Sequence, residues 1–502
     1  MLCGIREPHM KIPSLWFIGF CGHREFEDLG MREVIRQELI ALRERVEGGL
    51  IGHSQVAIGA DQIFLGECEA LGLPIEISIP LEQGDFRQDF DAIDWEHAAG
   101  FLSRAVRVNE ARTGELRPDA YRTCGIEIVD VCDLVMAVWD GSEARGPGGT
   151  AEIVAYARQL NRPIVWIHAG TLSVTYENFP KGRFQNPMVQ TIRKTLESEI
   201  WKTESLDSGG CREAVEGLFS AADSYATRTA PNVRRLTMTV IALNFVVVAL
   251  GSMGAILESS GYEADSRALQ AIATVRFLLL TTVFVVAATH FLKSRKRRWL
   301  ACRFVAEFSR SLLATWNAAP GINRLPHAIL PEFSHLTRSL TFLNEAGHRI
   351  TQQADVSCYI KDRIEHQIDY YKIKSAGLDR TNRKLQMVLW IPTVLAPLIA
   401  AFCALKLRFG VGWEMDPVIF STLRSTAVLL PMLGTSVLSL ISIYEINRRI
   451  SQNHRMIGLL ESAKFRLSAT PSPNAAAPVI QSIEQALTGE NVDWYFHNRY
   501  GK

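Results

Sequence analysis

Three short stretches of this 502-residue chain carry the residue types that hold a phosphorylated compound. Gly19-Phe20-Cys21-Gly22-His23-Arg24 follows an apolar run, and Gly59-Ala60-Asp61 opens a helical pattern. Asp140-Gly141 leads into Gly146-Pro147-Gly148-Gly149-Thr150-Ala151-Glu152, the entry to another helical pattern. Glycines let backbone N–H groups approach an anion, and the positive end of a helix dipole favours it there. Arg24 can grip a phosphate through two parallel N–H bonds, and Asp61, Asp140 or Glu152 can accept from ribose hydroxyls. Each signal also has a plainer reading. Gly149-Thr150 makes an ordinary turn with an N-capping threonine, His23 a structural hydrogen-bonder, and Glu152 a first-turn carboxylate that suits the helix dipole. Taken together they define a nucleotide-type site of Gly19, Gly22, His23, Arg24, Gly59, Asp61, Asp140, Gly141, Gly148, Gly149, Thr150 and Glu152. The expected occupant is a nucleotide or nucleotide-derived compound, with no cofactor and no metal. Cys124 and Cys132 lie eight apart with no nearby histidine, which is not a zinc-ligand spacing.

The elements that position these residues alternate in type. Leu15–Phe20, Gln55–Ile58, Ile75–Ile79, 105–109, Leu134–Trp139 and Pro163–His168 read as strands. Between them, 27–46, 61–72, 118–131 and 150–160 read as helices. Such alternation predicts a Rossmann-like parallel sheet covered on both faces. The three glycine-bearing turns then share one sheet edge, where ligands of such folds sit.

The near-zero net charge of the chain, +1, is a cancellation. Residues 1–220 hold 22 Lys+Arg against 34 Asp+Glu, and the remainder holds 32 against 19. An acidic head excludes a broad nucleic-acid surface, which needs an excess of cations, and a basic second half suits the flank of a membrane. The nine cysteines are scattered without a CxxC pair and read as reduced, cytosolic thiols. Residues 1–13 lack the apolar run of a signal peptide.

Four stretches meet the length test for crossing a hydrocarbon core: 236–257, 268–292, 385–405 and 425–444. Their only charge is Arg276, and the prolines Pro392, Pro397 and Pro431 are tolerable within helix bundles. Orientation follows from the flanks. Arg228, Arg234 and Arg235 precede the first stretch, and Lys293 to Arg298 follow the second. Lys372, Lys374, Arg380, Arg383 and Lys384 precede the third, and Arg448, Arg449 and Arg455 follow the fourth. Positive flanks stay inside, so both termini and 294–384 are expected in the cytosol of a multi-pass inner-membrane protein. Helices are expected at 299–316, 356–386, 446–468 and 478–488, with a Pro/Gly break at 319–331, so that hairpin plus cytosolic helix occurs twice. Asn244, Arg276 and His290 are too few for an ion or substrate path.

The GFCGHR turn, the GAD turn and VDVCDLVMAVWDG followed by GGTAE resemble the SLOG superfamily, which includes the DprA and LOG proteins, over about 14–170. The second half resembles the SLATT membrane domains that accompany SLOG heads in bacteria, through its paired hairpins, RWLACRFVAEFSR, Tyr359/Arg363/Gln367/Tyr370/Tyr371 and Glu484…Trp494. The resemblance implies a SLOG-like domain at 14–220 and a SLATT-like membrane domain at 225–502. It further implies an effector of a prokaryotic conflict (antiviral) system, in which the head senses a nucleotide-derived signal and an oligomer of the chain permeabilises the lipid bilayer. LOG proteins hydrolyse the N-glycosidic bond of nucleotides with an Arg and a Glu beside a PGGxGTxxE loop. Here the loop is shortened to PGGTAE, Ile153 holds the glutamate position with Glu152 beside it, and Cys124 falls at the arginine position with Arg122 two residues away. A membrane-tethered N-glycosidase using Glu152 and a nucleotide-gated ion channel are the alternative readings.

Overall fold

A computed structural model describes residues 12–24, 30–110, 116–144, 146–200, 210–259, 267–292, 295–316, 330–351, 356–409, 416–443, 445–470 and 472–500. The 319–331 break therefore lies almost wholly outside the described residues, as does Lys293.

The first 200 residues form β1 (Leu15–Gly22), α1 (Met31–Arg45), β2 (Gly49–Ser54), α2 (Ala60–Ala70), β3 (Ile75–Ile79), the single turn α3 (Gln83–Phe86), α4 (Ala92–Arg104) and β4 (Arg107–Glu110). They continue with α5 (Arg117–Val131), β5 (Leu134–Trp139), α6 (Thr150–Gln159), β6 (Ile164–His168), β7 (Val174–Glu177) and α7 (Pro187–Ile200). The strands make one seven-stranded sheet in the order β4-β3-β2-β1-β5-β6-β7, parallel throughout except for β7 on β6. Strand alternation sorts the core. Trp16, Ile18 and Phe20 of β1 pack with Met31 and Ile35 of α1 and Phe64 of α2, while Phe17 points the other way toward Cys124 and Ile128 of α5. The α/β head expected from the sequence is therefore present.

Two of the boundaries that differ from those read in the sequence bear on the site. The second strand is Gly49–Ser54, and Gln55–Ile58 instead forms the turn into α2, with Val56 at φ 61°. Glycines hide this strand: a Cβ on Gly49 would lie 2.8 Å from Leu15 Cδ2, and one on Gly52 2.7 Å from Cys68 Sγ. Likewise β1 runs on to Gly22, so Gly19 is an interior strand residue.

From residue 211 the described elements are helical: α8 (Cys211–Ser259), α9 (Arg267–Leu292), α10 (Arg295–Thr315), α11 (Ser334–Thr351), α12 (Val356–Tyr359) with a π turn over Ile360–Glu365, α13 (His366–Phe409), α14 (Pro417–Ile443), α15 (Ile446–Ser468) and α16 (Pro473–Tyr500). Contacts divide the chain into two compact units. The first is 1–224 with 301–355 and 480–502, and the second is 225–300 with 356–479. The division is thus not the single cut near residue 220 that the sequence suggests, because later helices fold onto the head.

Within the first unit α11 lies across the N-terminal end of β1 and β5. Asp133, one residue before β5, accepts from the Phe17 N–H at 2.9 Å and from Arg338 Nη2 at 2.6 Å, and sits 3.2 Å from His335 Nδ1. The other nitrogen of His335 is 2.9 Å from Ser14 Oγ, and the Leu15 N–H donates to Ser339 Oγ at 2.9 Å. Burial raises the Asp133 carboxyl, but Arg338, His335 and the Phe17 amide together hold it well below the usual carboxylate range. Ser311 of α10 donates to buried Glu484 at 2.6 Å, and Tyr495 donates to Glu332 at 2.7 Å while packing against Phe304 and Phe333.

Within the second unit α13 packs against α14 and α15, with Lys372–Glu461 and Lys464–Glu365 ion pairs at 2.8 and 2.6 Å. Two helices among the described residues are long and apolar enough to cross a membrane, Arg267–Val286 and Val356–Arg408. Asn244 turns its amide onto the Val240 carbonyl of its own helix.

Replacing Asp133 by alanine strands the buried Arg338 guanidinium without a counter-charge. Loss of one partner of a buried pair costs about 3–5 kcal/mol. Urea unfolding of the full chain in detergent is expected to show that loss for Asp133→Ala; an unshifted midpoint would mean the network contributes nothing.

Candidate functional site

The sheet order reverses direction between β1 and β5, which are neighbours although far apart in sequence. The chain leaves β1 for α1 on one face and β5 for α6 on the other. A crevice opens at the C-terminal ends of such a strand pair. The residues brought to it are Gly22, His23 and Arg24 after β1, Gly59 and Asp61 after the neighbouring β2, and Asp140, Gly141 and the Gly148–Glu152 helix entry after β5. Gly19 is not among them. It lies under α5, where a Cβ would stand 3.0 Å from Cys132 Sγ and Ile128 Cγ2.

The first two rim loops cross in direct contact, which accounts for their glycines. A Cβ on Gly22 would lie 2.5 Å from that of Ala60. Gly59 has φ 96°, and a Cβ there would collide with the Arg24 carbonyl and stand 2.8 Å from that of His23. The backbone amides in this turn are already engaged. The His23 N–H donates to the Val138 carbonyl and the Ala60 N–H to the His23 carbonyl, both at 3.2 Å. His23 Nε2 lies 3.2 Å from the Asp140 amide nitrogen and 3.1 Å from Asp140 Oδ1, so the imidazole ties the ends of β1 and β5 in either tautomer. The Ser142 N–H, then His23, holds the Asp140 carboxyl down at about 2.

The α6 entry already holds an anion, its own. Glu152 accepts from the Gly148 N–H at 2.8 Å and from Arg122 Nε at 2.5 Å. Gly148 has φ 74°, and a Cβ there would stand 2.7 Å from the Arg122 nitrogen, so the loop is moulded onto α5. The Gly148 amide and Arg122 keep the Glu152 carboxyl below its ordinary value. It therefore stays ionised at neutral pH and is badly placed to serve as a general acid. Arg122 stands opposite the glutamate, whereas Cys124 is buried and bonded to the Ser78 carbonyl.

Asp61 behaves differently. It is 4% exposed, accepts from Ser54 Oγ at 2.8 Å, and burial pushes its carboxyl up to about 7 against the downward pull of Ser54, the Ala57 amide and Arg24. Arg24 itself is exposed, with its guanidinium 5.2 Å from the Tyr121 ring centroid. Among the described residues no carboxylate forms an ion pair with it. Tyr121 is fixed by donation to Asp89 at 2.5 Å.

Arg24 and Gly59 also line a cleft of about 580 Å³ between α2 and α4. Its walls include Arg32, Gln62, Ile63, His97 and Phe101, none of which the sequence reading singled out. Helix α4 was the missing signal: Asp91 caps it by accepting from the Asp94 N–H at 2.7 Å, an Asp-x-x-Asp start visible in the sequence. Among the described residues no cluster of three or more His, Cys, Asp or Glu could hold a metal ion.

Because the folded state favours protonated Asp61, its contribution to stability is complete below the unfolded carboxylate value near 4 and is lost as pH rises through about 7. Asp61→Asn cannot ionise. Its melting temperature, relative to the parent protein, is expected to rise between pH 5 and pH 8; a pH-independent difference would contradict the buried carboxyl. Comparison of the chain with protein-family models and with curated proteins finds no match.

Proposed function

We propose that this chain is a membrane-bound receptor for a nucleotide or nucleotide-derived messenger, with the ligand at the β1/β5 rim of the head. The observation that carries this reading is Arg24: an exposed guanidinium at a topological switch point, held over Tyr121, without an ion pair among the described residues, in the lining of a cleft of nucleotide size. Side chains make the first contact, since the N–H groups of His23, Ala60 and Gly148 are already committed within the protein. A ligand phosphate reaching α6 displaces the Glu152 carboxylate from Gly148 and Arg122, one anion exchanged for another.

The helical half inserts in the bilayer as two hairpins, α8–α9 and α13–α14, with both termini in the cytosol. Apolar side chains stand exposed on all four helices, among them Met253, Phe277 at 67%, Trp390 at 63% and Val428, and lipid is the natural cover for such surface. Glycine faces a neighbouring helix at Gly254 and Gly434, where an added Cβ would stand 3.8 Å from Ile272 Cγ2 and 3.7 Å from Pro392 Cγ, and small residues at helix contacts are the packing that membrane helices favour. The SLOG-like and SLATT-like motifs support a role as sensor-effector in a prokaryotic conflict system, where messenger binding to a homo-oligomer leads to membrane permeabilisation. The engagement of Glu152 gives the glycosidase alternative no support.

The test uses the full chain in detergent and in vesicles. Calorimetry against nucleoside mono- and triphosphates, dinucleotides and cyclic dinucleotides is expected to find a ligand. Arg24→Ala is expected to weaken it about 10- to 100-fold, the value of a charged hydrogen bond. The same ligand is expected to release dye from vesicles carrying the protein. Absence of binding by every compound removes the reading, and so does recovery of the chain in the soluble fraction after carbonate washing.

A further inference from the structure

We infer that the cleft between α2 and α4 receives the base of the nucleotide, with its phosphate at Arg24. This rests on the reading of the rim as a nucleotide site and goes on to say which way the ligand lies. The rim offers two directions from Arg24, over the β5–α6 loop or into the cleft beside Gly59.

Two observations select the cleft. Ile63 and the half-buried Phe101 give the cleft an apolar wall, with the Arg104 guanidinium 5.2 Å from the Phe101 centroid. A stacked arginine and phenylalanine form a surface on which a base can lie, and such stacking is indifferent to which base it is.

The second observation is Gly66. It stands in the interior of α2, where glycine costs stability relative to alanine. Packing does not demand it: its φ is not in the left-handed region, and a Cβ there would meet nothing closer than Arg32 Nη1 at 3.8 Å and Phe101 Cζ at 4.0 Å. This contrasts with Gly22 and Gly59, whose neighbours leave no room. What Gly66 provides is volume, and that volume is the cleft. On the β5–α6 side, by contrast, Trp139 and Trp166 close on one another at 5.2 Å and Arg158 lies over both.

The test locates the base directly. Full-length protein in detergent micelles is irradiated with 8-azidoadenosine triphosphate or 8-azidoguanosine triphosphate, and labelled peptides are mapped by mass spectrometry. Label is expected in 60–70 or 92–104. Label confined to 140–152 overturns the inference and leaves the head a nucleotide binder; no label in the head that unlabelled nucleotide can compete away overturns both. Gly66→Leu fills the cleft and is expected to cut labelling at least 10-fold while melting at or above the parent temperature. Should Gly66→Leu melt lower, Gly66→Ala serves in its place, with a smaller loss of label. Either variant folded and labelling like the parent overturns the inference.

Discussion

The head depends on one buried carboxylate. Asp133 is placed where α5 ends and β5 begins, at the base of the two central strands, and it gathers the Phe17 amide of β1 with His335 and Arg338 of α11. A carboxylate this deep is tolerable only because each oxygen is occupied, and the same requirement fixes its partners. Arg338 must lie along Phe17, with its guanidinium 5.3 Å from the ring centroid, and His335 must reach Ser14. Arg107 of β4 and Glu345 of α11 add a second ion pair at 2.6 Å. A helix some 200 residues later in the chain is thereby part of the α/β domain. The compact unit contains 301–355 for this reason, although local sequence separates it from the head.

The rim opposite that base is held by weaker ties. His23 and Asp140 join β1 to β5, the Gly22 and Gly59 turns interlock, and Glu152 fastens the α6 entry to Arg122. These groups are partly exposed, so each bond competes with water and contributes modestly. That is a favourable state for a binding edge: every bond a ligand would break is replaceable by one it would make. The exception is Asp61, which burial pushes up to about 7, so the charge at the start of α2 changes near neutral pH.

Much of this was legible from residue pattern. Leu134–Trp139 and 446–468 were readable to the residue because an uninterrupted apolar strand and a long amphipathic helix leave one solution each. The three rim turns were placed correctly on one edge by the parallel order alone. Elsewhere local signals misled. The glycines of Gly49-Leu50-Ile51-Gly52 look like a turn, yet they serve a strand pressed against Leu15 and Cys68. Gly19 looks like part of a phosphate loop, yet it is a gap for α5. α4 mixes charged and apolar residues and was overlooked, and the cleft went with it. Contacts between residues far apart in sequence leave no periodic trace, so Asp133 with Arg338 could not be read from the chain at all.

The two ends of β1 and β5 carry different business, and this gives a physical route between them. His23 and Asp140 close the strands at the rim; Phe17 and Asp133 close them at the base, seven positions away along β5. Strands paired in register at Gly19–Val135 and Gly22–Val138 slide as one body or not at all. A ligand that replaces the His23–Asp140 bond therefore acts on the pair, and the pair meets α11 through groups that cannot stretch without baring a buried charge. Such an interface has two arrangements, bonded and unbonded, rather than a continuum. The ligand can bias them only by binding one more tightly than the other. Helix α11 ends at Thr351 and α12 begins at Val356, so α11 is followed in the chain by helices of the second unit.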